Sequence, residues 1–238
     1  EIYTLALHDA LPISIYTMGH SLITNMLYSI AQPVLTKTQN EPERQKQVFR
    51  KLLRFTAFIA FPAMLCLSLI SEEFIVILIT EKWLSSAQML RVLCVAGAVM
   101  PISYLFSNLL ITSGRSSAYM WSTLGLCAVQ LVVLGFCVPF GINIMVQGYA
   151  IVNILWLGVW FWLSHNEIGL SVSEAIKDIS PYLILSVAIV IATWFVTRSV
   201  ANLYVCLVLR AVMVAVAYCL ALWVLRSTIF KEVILFIT

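Results

Sequence analysis

Long apolar runs separated by short polar segments dominate the chain from residue 15 to its end. Seven of these runs approach or reach the roughly 20 residues that a transmembrane helix needs. They are Ile15–Leu35, Leu53–Ile70, Met89–Ile111, Tyr119–Phe140, Ile144–Leu163, Tyr182–Val196 and Leu203–Leu225. The runs lack the polar–apolar alternation of transmembrane β-strands. The pattern therefore predicts an all-α, polytopic transmembrane helical bundle of about seven helices.

The composition supports a membrane-embedded fold. Hydrophobic residues make up 62% of the chain and charged residues 11%, and the mean hydropathy is +0.99. A soluble domain has roughly 45–50% apolar and about 25% charged residues. The six cysteines all lie within the apolar runs and form no CxxC pair, so we expect them to be buried or lipid-facing.

Two polar segments allow more than one interpretation. The second run is interrupted at Ser71-Glu72-Glu73 and continues into Phe74–Trp83. That continuation either lies at the membrane interface or extends one long tilted helix. The longest hydrophilic stretch, Lys37–Arg54, is predicted to be a solvated cytoplasmic linker, and an amphipathic helix along the inner surface is the alternative.

The distribution of basic residues predicts the orientation. When alternate connections are assigned to the cytoplasm, ten Lys and Arg residues fall inside, whereas Lys82 and Arg198 fall outside. The ten are Lys37, Arg44, Lys46, Arg50, Lys51, Arg54, Arg115, Lys177, Arg226 and Lys231. Because cytoplasmic loops carry an excess of Lys and Arg, the first helix should run from outside to inside. The C-terminus of this multi-pass protein is then cytoplasmic.

The residues do not suggest an enzyme. The acidic side chains, Glu72, Glu73 and Asp178 among them, fall in connections between the apolar runs. We find no paired carboxylates, no metal-ligand spacing and no glycine motif for phosphate. The sequence predicts no catalytic residue, no metal, no cofactor and no nucleic-acid partner.

Arg210 is a basic residue within the last apolar run. A charge at mid-helix costs on the order of 2.5 kcal/mol or more, so we expect the guanidinium to face a cavity or a partner. In a transporter it could hold an anionic headgroup through a bidentate fork. Alternatively, the side chain snorkels to the outer interface.

The first run contains a stripe of polar residues at helical spacing. Its members are His20, Ser21, Thr24, Asn25, Ser29 and Gln32. We expect this stripe to face the interior of the bundle, where it lines a polar route or supplies hydrogen bonds between helices. His20, Asn25 and Gln32 are therefore candidates, with Arg210, for a substrate path.

Residues 1–14 differ in character from the rest of the chain. The segment lacks an initial Met, a basic start and an uninterrupted apolar core, so it is not a signal peptide. It resembles a translated sequencing adapter, and we expect it to be non-native. Residues 15–238 then form the C-terminal transmembrane portion of a longer protein.

Three short segments resemble motifs of the polysaccharide transporters in the multidrug/oligosaccharidyl-lipid/polysaccharide flippase superfamily. The segment 32–37, Gln-Pro-Val-Leu-Thr-Lys, is similar to the family's Pro-Val-Leu-Ser segment. Residues 81–83, Glu-Lys-Trp, resemble its Gly-Glu-Lys-Trp turn, although Thr80 replaces the usual Gly. Residues 112–115, Thr-Ser-Gly-Arg, are similar to its Gly-Arg cytoplasmic turn.

This resemblance implies a function and a set of partners. Members have twelve to fourteen helices in two lobes, so the chain would be the second lobe and its first partner would be the missing N-terminal lobe. The implied substrate is an undecaprenyl-pyrophosphate-linked oligosaccharide, flipped across the bacterial inner membrane among its lipids for O-antigen, capsule or exopolysaccharide assembly.

Three other functions compete with this one. A cation-coupled multidrug exporter of the same superfamily would more often hold an acid deep in a helix. A membrane-embedded polysaccharide polymerase or ligase would tend to present a large outer loop. A purely structural membrane subunit is the third alternative.

Overall fold

A computed structural model describes residues 2–224 of the chain, apart from positions 40, 79 and 201. Side chains are described from residue 13 onward, apart from those three positions and residues 28, 166 and 224. Arg226 and Lys231, which we assigned to the cytoplasmic side, lie outside the described residues.

Helices form almost all of the described part of the chain, which contains no strand. They are α1 (Ile2–Lys37), α2 (Pro42–Leu69), α3 (Ser71–Leu78), α4 (Leu84–Gly97), α5 (Met100–Thr112), α6 (Ser116–Cys137), α7 (Ile142–Ile168), α8 (Val172–Thr197) and α9 (Leu203–Val224). Two single 3₁₀ turns, Glu81–Trp83 and Val138–Phe140, precede α4 and follow α6. The predicted all-α class is confirmed.

Six helical segments in the described part of the chain are long and apolar enough to cross a membrane. They are Pro42–Leu69, Glu81–Thr112, Ser116–Phe140, Ile142–His165, Val172–Thr197 and Leu203–Trp223. Each contains or largely overlaps one of the predicted runs. The remaining run, Ile15–Leu35, lies within α1, where polar residues are interspersed among the apolar ones.

Local sequence signals set several helix ends. Pro42 is the first residue of α2. Backbone N–H groups in the first turn have no acceptor within the helix, so proline, which lacks one, is well suited to this position. At the start of α8, Ser171 Oγ accepts from the Ser173 amide, and Glu174 accepts from the Ser171 amide at 2.9 Å. Gly169 ends α7 with φ +60°, a conformation that glycine adopts without steric cost.

Two predicted helices differ from the observed ones. The run Met89–Ile111 is divided between α4, which ends at Gly97, and α5, which begins at Met100 and has Pro101 in its first turn. A single long helix through Phe74–Trp83 is also wrong, since α2 ends at Leu69 and the short α3 follows as a separate helix.

The stretch Lys37–Arg54, predicted to be a solvated linker, is solvated over only part of its length. Residues from Pro42 onward form the first turns of α2. Lys46, Arg50 and Arg54 pair with acids of α8, as described below, so this side of the helix is packed against the bundle, whereas Arg44 and Lys51 are exposed. A mixed-charge sequence favours contact with water, but here acidic side chains of the neighbouring helix neutralise several of the basic groups.

The core lies between α1, α2, α4 and α5. The largest fully buried side chains there include Phe49, Phe61, Phe106 and Leu90. In contrast, α6 buries only Ser122 among its residues, and large apolar side chains such as Phe136 are exposed on its surface. An exposed apolar surface of this extent suits contact with lipid rather than with water.

Only part of the predicted polar stripe of α1 faces the bundle interior: Thr24 is buried and His20 lies on the packed side, but the rest of the stripe does not. Asn25, Ser29 and Gln32 are exposed, whereas Leu27 and Leu35 are buried against the other helices. Packing the apolar side of α1 against the bundle buries more apolar surface than packing its polar side would, so the apolar side makes the contact. We call Ser21, Asn25, Ser29 and Gln32 the α1 polar face.

Close packing at Gly97 provides a test of the core. A Cβ atom at this position would lie 2.5 Å from Met64 Cε and 2.6 Å from Tyr16 Cε2. We expect Gly97→Ala to lower the free energy of unfolding by about 1–3 kcal/mol through overpacking. Denaturant unfolding of the reconstituted chain measures this change.

The matched control is Gly158→Ala on α7, where a Cβ atom would meet no other group within 4 Å. Alanine favours a helix over glycine by up to about 1 kcal/mol, so stability should be unchanged or slightly higher. Equal stability of both variants would mean that α4 does not approach α1 and α2 as closely as described.

Candidate functional site

A buried ion pair joins α3 to α9. Arg210 Nη1 donates a short hydrogen bond to Glu73 Oε1, and only 10% and 8% of the two side chains are exposed. The same nitrogen donates to the Leu69 carbonyl oxygen at 3.3 Å, and Arg210 Nε donates to Thr197 Oγ1 at 3.0 Å. The guanidinium therefore bonds to the ends of α2 and α8 as well as to α3.

The turn after α2 creates this arrangement. Because α2 ends at Leu69 and α3 begins at Ser71, Glu73 is directed into the bundle. Its Oε2 atom is buried and has no described hydrogen-bond partner. Cys206, one turn before Arg210 on α9, lies with its Sγ 3.6 Å from Glu73 Oε1. The carboxylate thus retains one acceptor atom for a proton, a water or a cation.

A cavity of about 350 Å³ lies beside the ion pair, and Arg210 forms part of its wall. Arg91 and Glu72 line its polar side and pair with each other at 2.9 Å. The remaining wall is mostly apolar and comes from α2, α4 and α8: Leu65, Leu69, Val95, Val187, Val190, Ile191 and Trp194, with Ser68. The cavity combines cationic groups with an apolar surface.

The predicted site residues do not converge. Arg210 lines the cavity just described, but none of His20, Asn25 and Gln32 does. Asn25 and Gln32 belong to the exposed α1 polar face. His20 lies on the packed side of α1, where its ring is 5.1 Å from that of Tyr16 and 6.0 Å from that of Tyr104.

A second ionic cluster joins the opposite ends of α2 and α8. Arg50 Nε lies 2.6 Å from Asp178 Oδ2, and Arg54 Nε lies 3.5 Å from Asp178 Oδ1. Lys46 Nζ lies 2.9 Å from Glu174 Oε2. With the Asp178 side chain only 7% exposed, two arginines compensate its charge in the interior.

Most of the acidic residues predicted to fall in connections lie in helices instead, and two of them are buried. Glu73 and Asp178 are both buried within helices and paired with arginine. Arg91 was not among the predicted site residues, although it lies within the run Met89–Ile111 and lines the cavity. Opposite charges near helix ends were the available signal for these ion pairs. The residues that pair lie far apart in the chain, so the sequence does not show which charges meet. Among the described residues, no group of three His, Cys, Asp or Glu side chains could hold a metal ion.

Comparison with known proteins supports the predicted relationship. A sequence-family profile described as "Polysaccharide biosynthesis protein" matches residues 11–88. An uncharacterized membrane protein in the cps region of Klebsiella pneumoniae is 35% identical over 94 residues, which cover 40% of this chain and 19% of that protein. The lipopolysaccharide biosynthesis protein WzxC of Escherichia coli K12 is 33% identical over 94 residues, or 40% of this chain and 18% of WzxC.

The fold comparison covers most of the chain. The solved structure of the lipid II flippase MurJ, in its inward closed conformation, matches 95% of this chain and 47% of MurJ. The TM-score is 0.76 at 14% sequence identity, so the likeness shows the fold. The predicted resemblance to the polysaccharide transporter and flippase family is confirmed.

The similar proteins are longer than the chain. The teichuronic acid biosynthesis protein TuaB of Bacillus subtilis is 25% identical over 190 residues, which cover 76% of this chain but 39% of TuaB. The chain therefore spans less than half the length of each relative named here. The prediction that residues 1–14 are non-native stays a prediction.

The buried ion pair allows a direct test of stability. Arg210→Met would leave Glu73 buried without its cation, and we expect the free energy of unfolding to fall by about 3–5 kcal/mol. The double variant Glu73→Leu/Arg210→Met buries no charge and should recover most of that loss. Denaturant unfolding in lipid nanodiscs measures both.

Arg91→Met is the control, because its partner Glu72 and Arg91 itself are each almost half exposed. An exposed pair contributes less than about 1 kcal/mol, so this variant should change stability little. If the double variant were no more stable than Arg210→Met, the Glu73–Arg210 contact would not be the reason for the loss.

Proposed function

We propose that the chain takes part in flipping a lipid-linked oligosaccharide across the bacterial inner membrane for polysaccharide assembly. The observation that carries this proposal is the flippase fold, which extends over 95% of the chain. The names of two relatives, for lipopolysaccharide and for teichuronic acid biosynthesis, support a glycan precursor as the cargo. Undecaprenyl pyrophosphate is the carrier that the family resemblance implies, and O-antigen, capsule and exopolysaccharide are the products.

The chain acts in this proposal as a transporter lobe and not as an enzyme. A second lobe from the same longer protein would face it, and cargo would move between the two. The α1 polar face suits a wall of that route, because Asn25, Ser29 and Gln32 are exposed on an otherwise apolar surface. Polar groups turned toward lipid would be costly, whereas a hydrated path between lobes satisfies them.

Arg210 remains a candidate for the anionic headgroup. Its guanidinium lines a cavity, and a fork of N–H donors matches phosphate oxygens. Since Glu73 already accepts one of those N–H groups, headgroup binding requires that the carboxylate release it or share it.

A cation-coupled multidrug exporter is the second candidate, and buried Glu73 is the observation that favours it. Such transporters more often hold an acid deep within a helix, and Glu73 Oε2 is buried without a described partner. Parallel measurements of glycan export and drug susceptibility in a strain lacking the gene separate the two functions. Loss of surface glycan with unchanged susceptibility supports flipping.

The α1 polar face provides the functional test. We expect Asn25→Leu/Gln32→Leu in the source gene to reduce glycan export about tenfold at equal membrane abundance, since each lost hydrogen bond weakens cargo binding severalfold. Met18→Leu is the control, because Met18 is 69% exposed on the same side of α1 and apolar. Export by the double variant equal to that by the control would exclude this face from the route.

We propose that Lys46 lies on the cytoplasmic side and Lys82 on the periplasmic side, with a cytoplasmic C-terminus. The bias of basic residues supports this orientation. In a background with the six cysteines changed to Ala, an impermeant thiol reagent should label Lys82→Cys in intact cells. Arg44→Cys, near Lys46 but with 66% of the native side chain exposed, should be labelled only after the cells are opened. The reverse labelling would overturn the orientation.

A further inference from the structure

A second cavity lies where α5, α6 and α7 meet. Its volume is about 300 Å³, at the lower end of the roughly 300–1,000 Å³ that ligand pockets occupy. Tyrosine, tryptophan, serine, threonine and amide side chains supply most of its wall. None of the described residues that line it is Lys, Arg, Asp or Glu. A ligand of this cavity is therefore small, uncharged and polar.

Two amides form the polar centre of the cavity. Gln130 Nε2 on α6 lies 3.4 Å from Asn153 Oδ1 on α7, and Asn153 Nδ2 donates to the Tyr149 carbonyl oxygen at 2.8 Å. No described residue donates a hydrogen bond to the Gln130 side-chain oxygen. The Gln130 amide presents an acceptor oxygen together with N–H donors, which is a pattern that a pair of neighbouring hydroxyls matches.

Aromatic rings provide the apolar part of the wall. Tyr119 and Trp160 are stacked with their centroids 5.8 Å apart. Trp156 is held in place because its Nε1 donates to Ser122 Oγ at 3.2 Å and its ring crosses α6 at Gly125. A Cβ atom at Gly125 would lie 3.2 Å from that ring, so glycine there leaves room for the indole.

This combination fits a sugar ring better than the alternatives. A pyranose has hydroxyls around its edge and C–H groups on its faces, which suit amides and aromatic rings respectively. A quaternary ammonium would bind the rings but would leave the amides without partners. A lipid chain would leave them unsatisfied as well.

We propose that this cavity binds one uncharged pyranose unit of the transported saccharide. The inference rests on the proposed function and names a recognition site within it. The cavity also adjoins a predicted path residue, since Tyr104 in its wall contacts His20 of α1 with ring centroids 6.0 Å apart.

The alternative is that Gln130 and Asn153 serve only to join α6 to α7, as polar residues commonly do in membrane bundles. Saturation-transfer NMR on the 238-residue chain in lipid nanodiscs, free of glycoside detergent, distinguishes the two roles. The probes are the methyl glycosides of glucose, galactose, mannose and N-acetylglucosamine. Mannitol, which has hydroxyls but no ring, and choline are the comparison compounds.

We expect at least one pyranoside to give saturable transfer, with mannitol and choline near background. The double variant Gln130→Met/Asn153→Leu removes both amides together and keeps the side-chain volumes similar, so neither amide is left without the other. It should bind about tenfold more weakly, because roughly two hydrogen bonds to the sugar are lost. Gln147→Met, on the exposed side of α7, makes the same chemical change outside the cavity and should bind like the parent.

Three results would overturn the proposal: no pyranoside exceeding mannitol, choline binding in preference to the sugars, or full binding by the double variant with a folded state as stable as the parent. The binding readout is independent of export. Glycan export without pyranoside binding would retain the proposed function and refute this site. Pyranoside binding by a protein that exports no glycan would retain the sugar site and refute the proposed function.

Discussion

The requirement that a buried charge has a partner organises the described bundle. Arg210 lies within α9, where an isolated charge in a membrane costs several kcal/mol. Its partners come from three other elements: Glu73 of α3, the Leu69 carbonyl at the end of α2, and Thr197 at the end of α8. Because hydrogen bonds fix direction as well as distance, this one side chain determines how α9 lies against three neighbours.

The same requirement acts at the other end of α8. Asp178 is buried between Arg50 and Arg54, so α8 is attached to α2 at both of its ends. Between these ends the contact is largely apolar and has little directional preference. The polar ends therefore define the register of the two helices, and the apolar middle provides most of the contact area. If α9 moved, it would have to break or carry along only the Arg210 contacts at one end of α8. The Asp178 cluster at the other end joins α2 to α8 and would be unaffected.

The sequence predicted where the helices lie along the chain better than it predicted which helices pack against each other. The length of an apolar run is a local property, so the runs appear as helices in the structure. The break between α4 and α5 was missed because Ala98 and Val99 are themselves apolar and interrupt no pattern. The pairing of Glu73 with Arg210 was missed because it depends on a turn at Ile70 that brings together residues 137 positions apart.

The outward position of the α1 polar face has a related explanation. Helical spacing correctly grouped Asn25, Ser29 and Gln32 on one side, but periodicity cannot say which side faces the protein. In a soluble protein polar residues face water, and in a membrane bundle they face inward. A chain that spans less than half of its relatives' length can have a third kind of surface, one that faces the rest of a larger assembly.

The peripheral position of α6 has an evolutionary consequence. This helix supplies one wall of the sugar-sized cavity, yet Ser122 is the one residue it buries among the described positions. Lipid tolerates any apolar side chain of suitable length, whereas a packed core tolerates few. The α6 wall can accordingly accumulate substitutions, and can shift with them, at little cost to the central helices. If this cavity binds sugar as proposed, a binding wall placed outside the core lets recognition diversify while the scaffold stays the same.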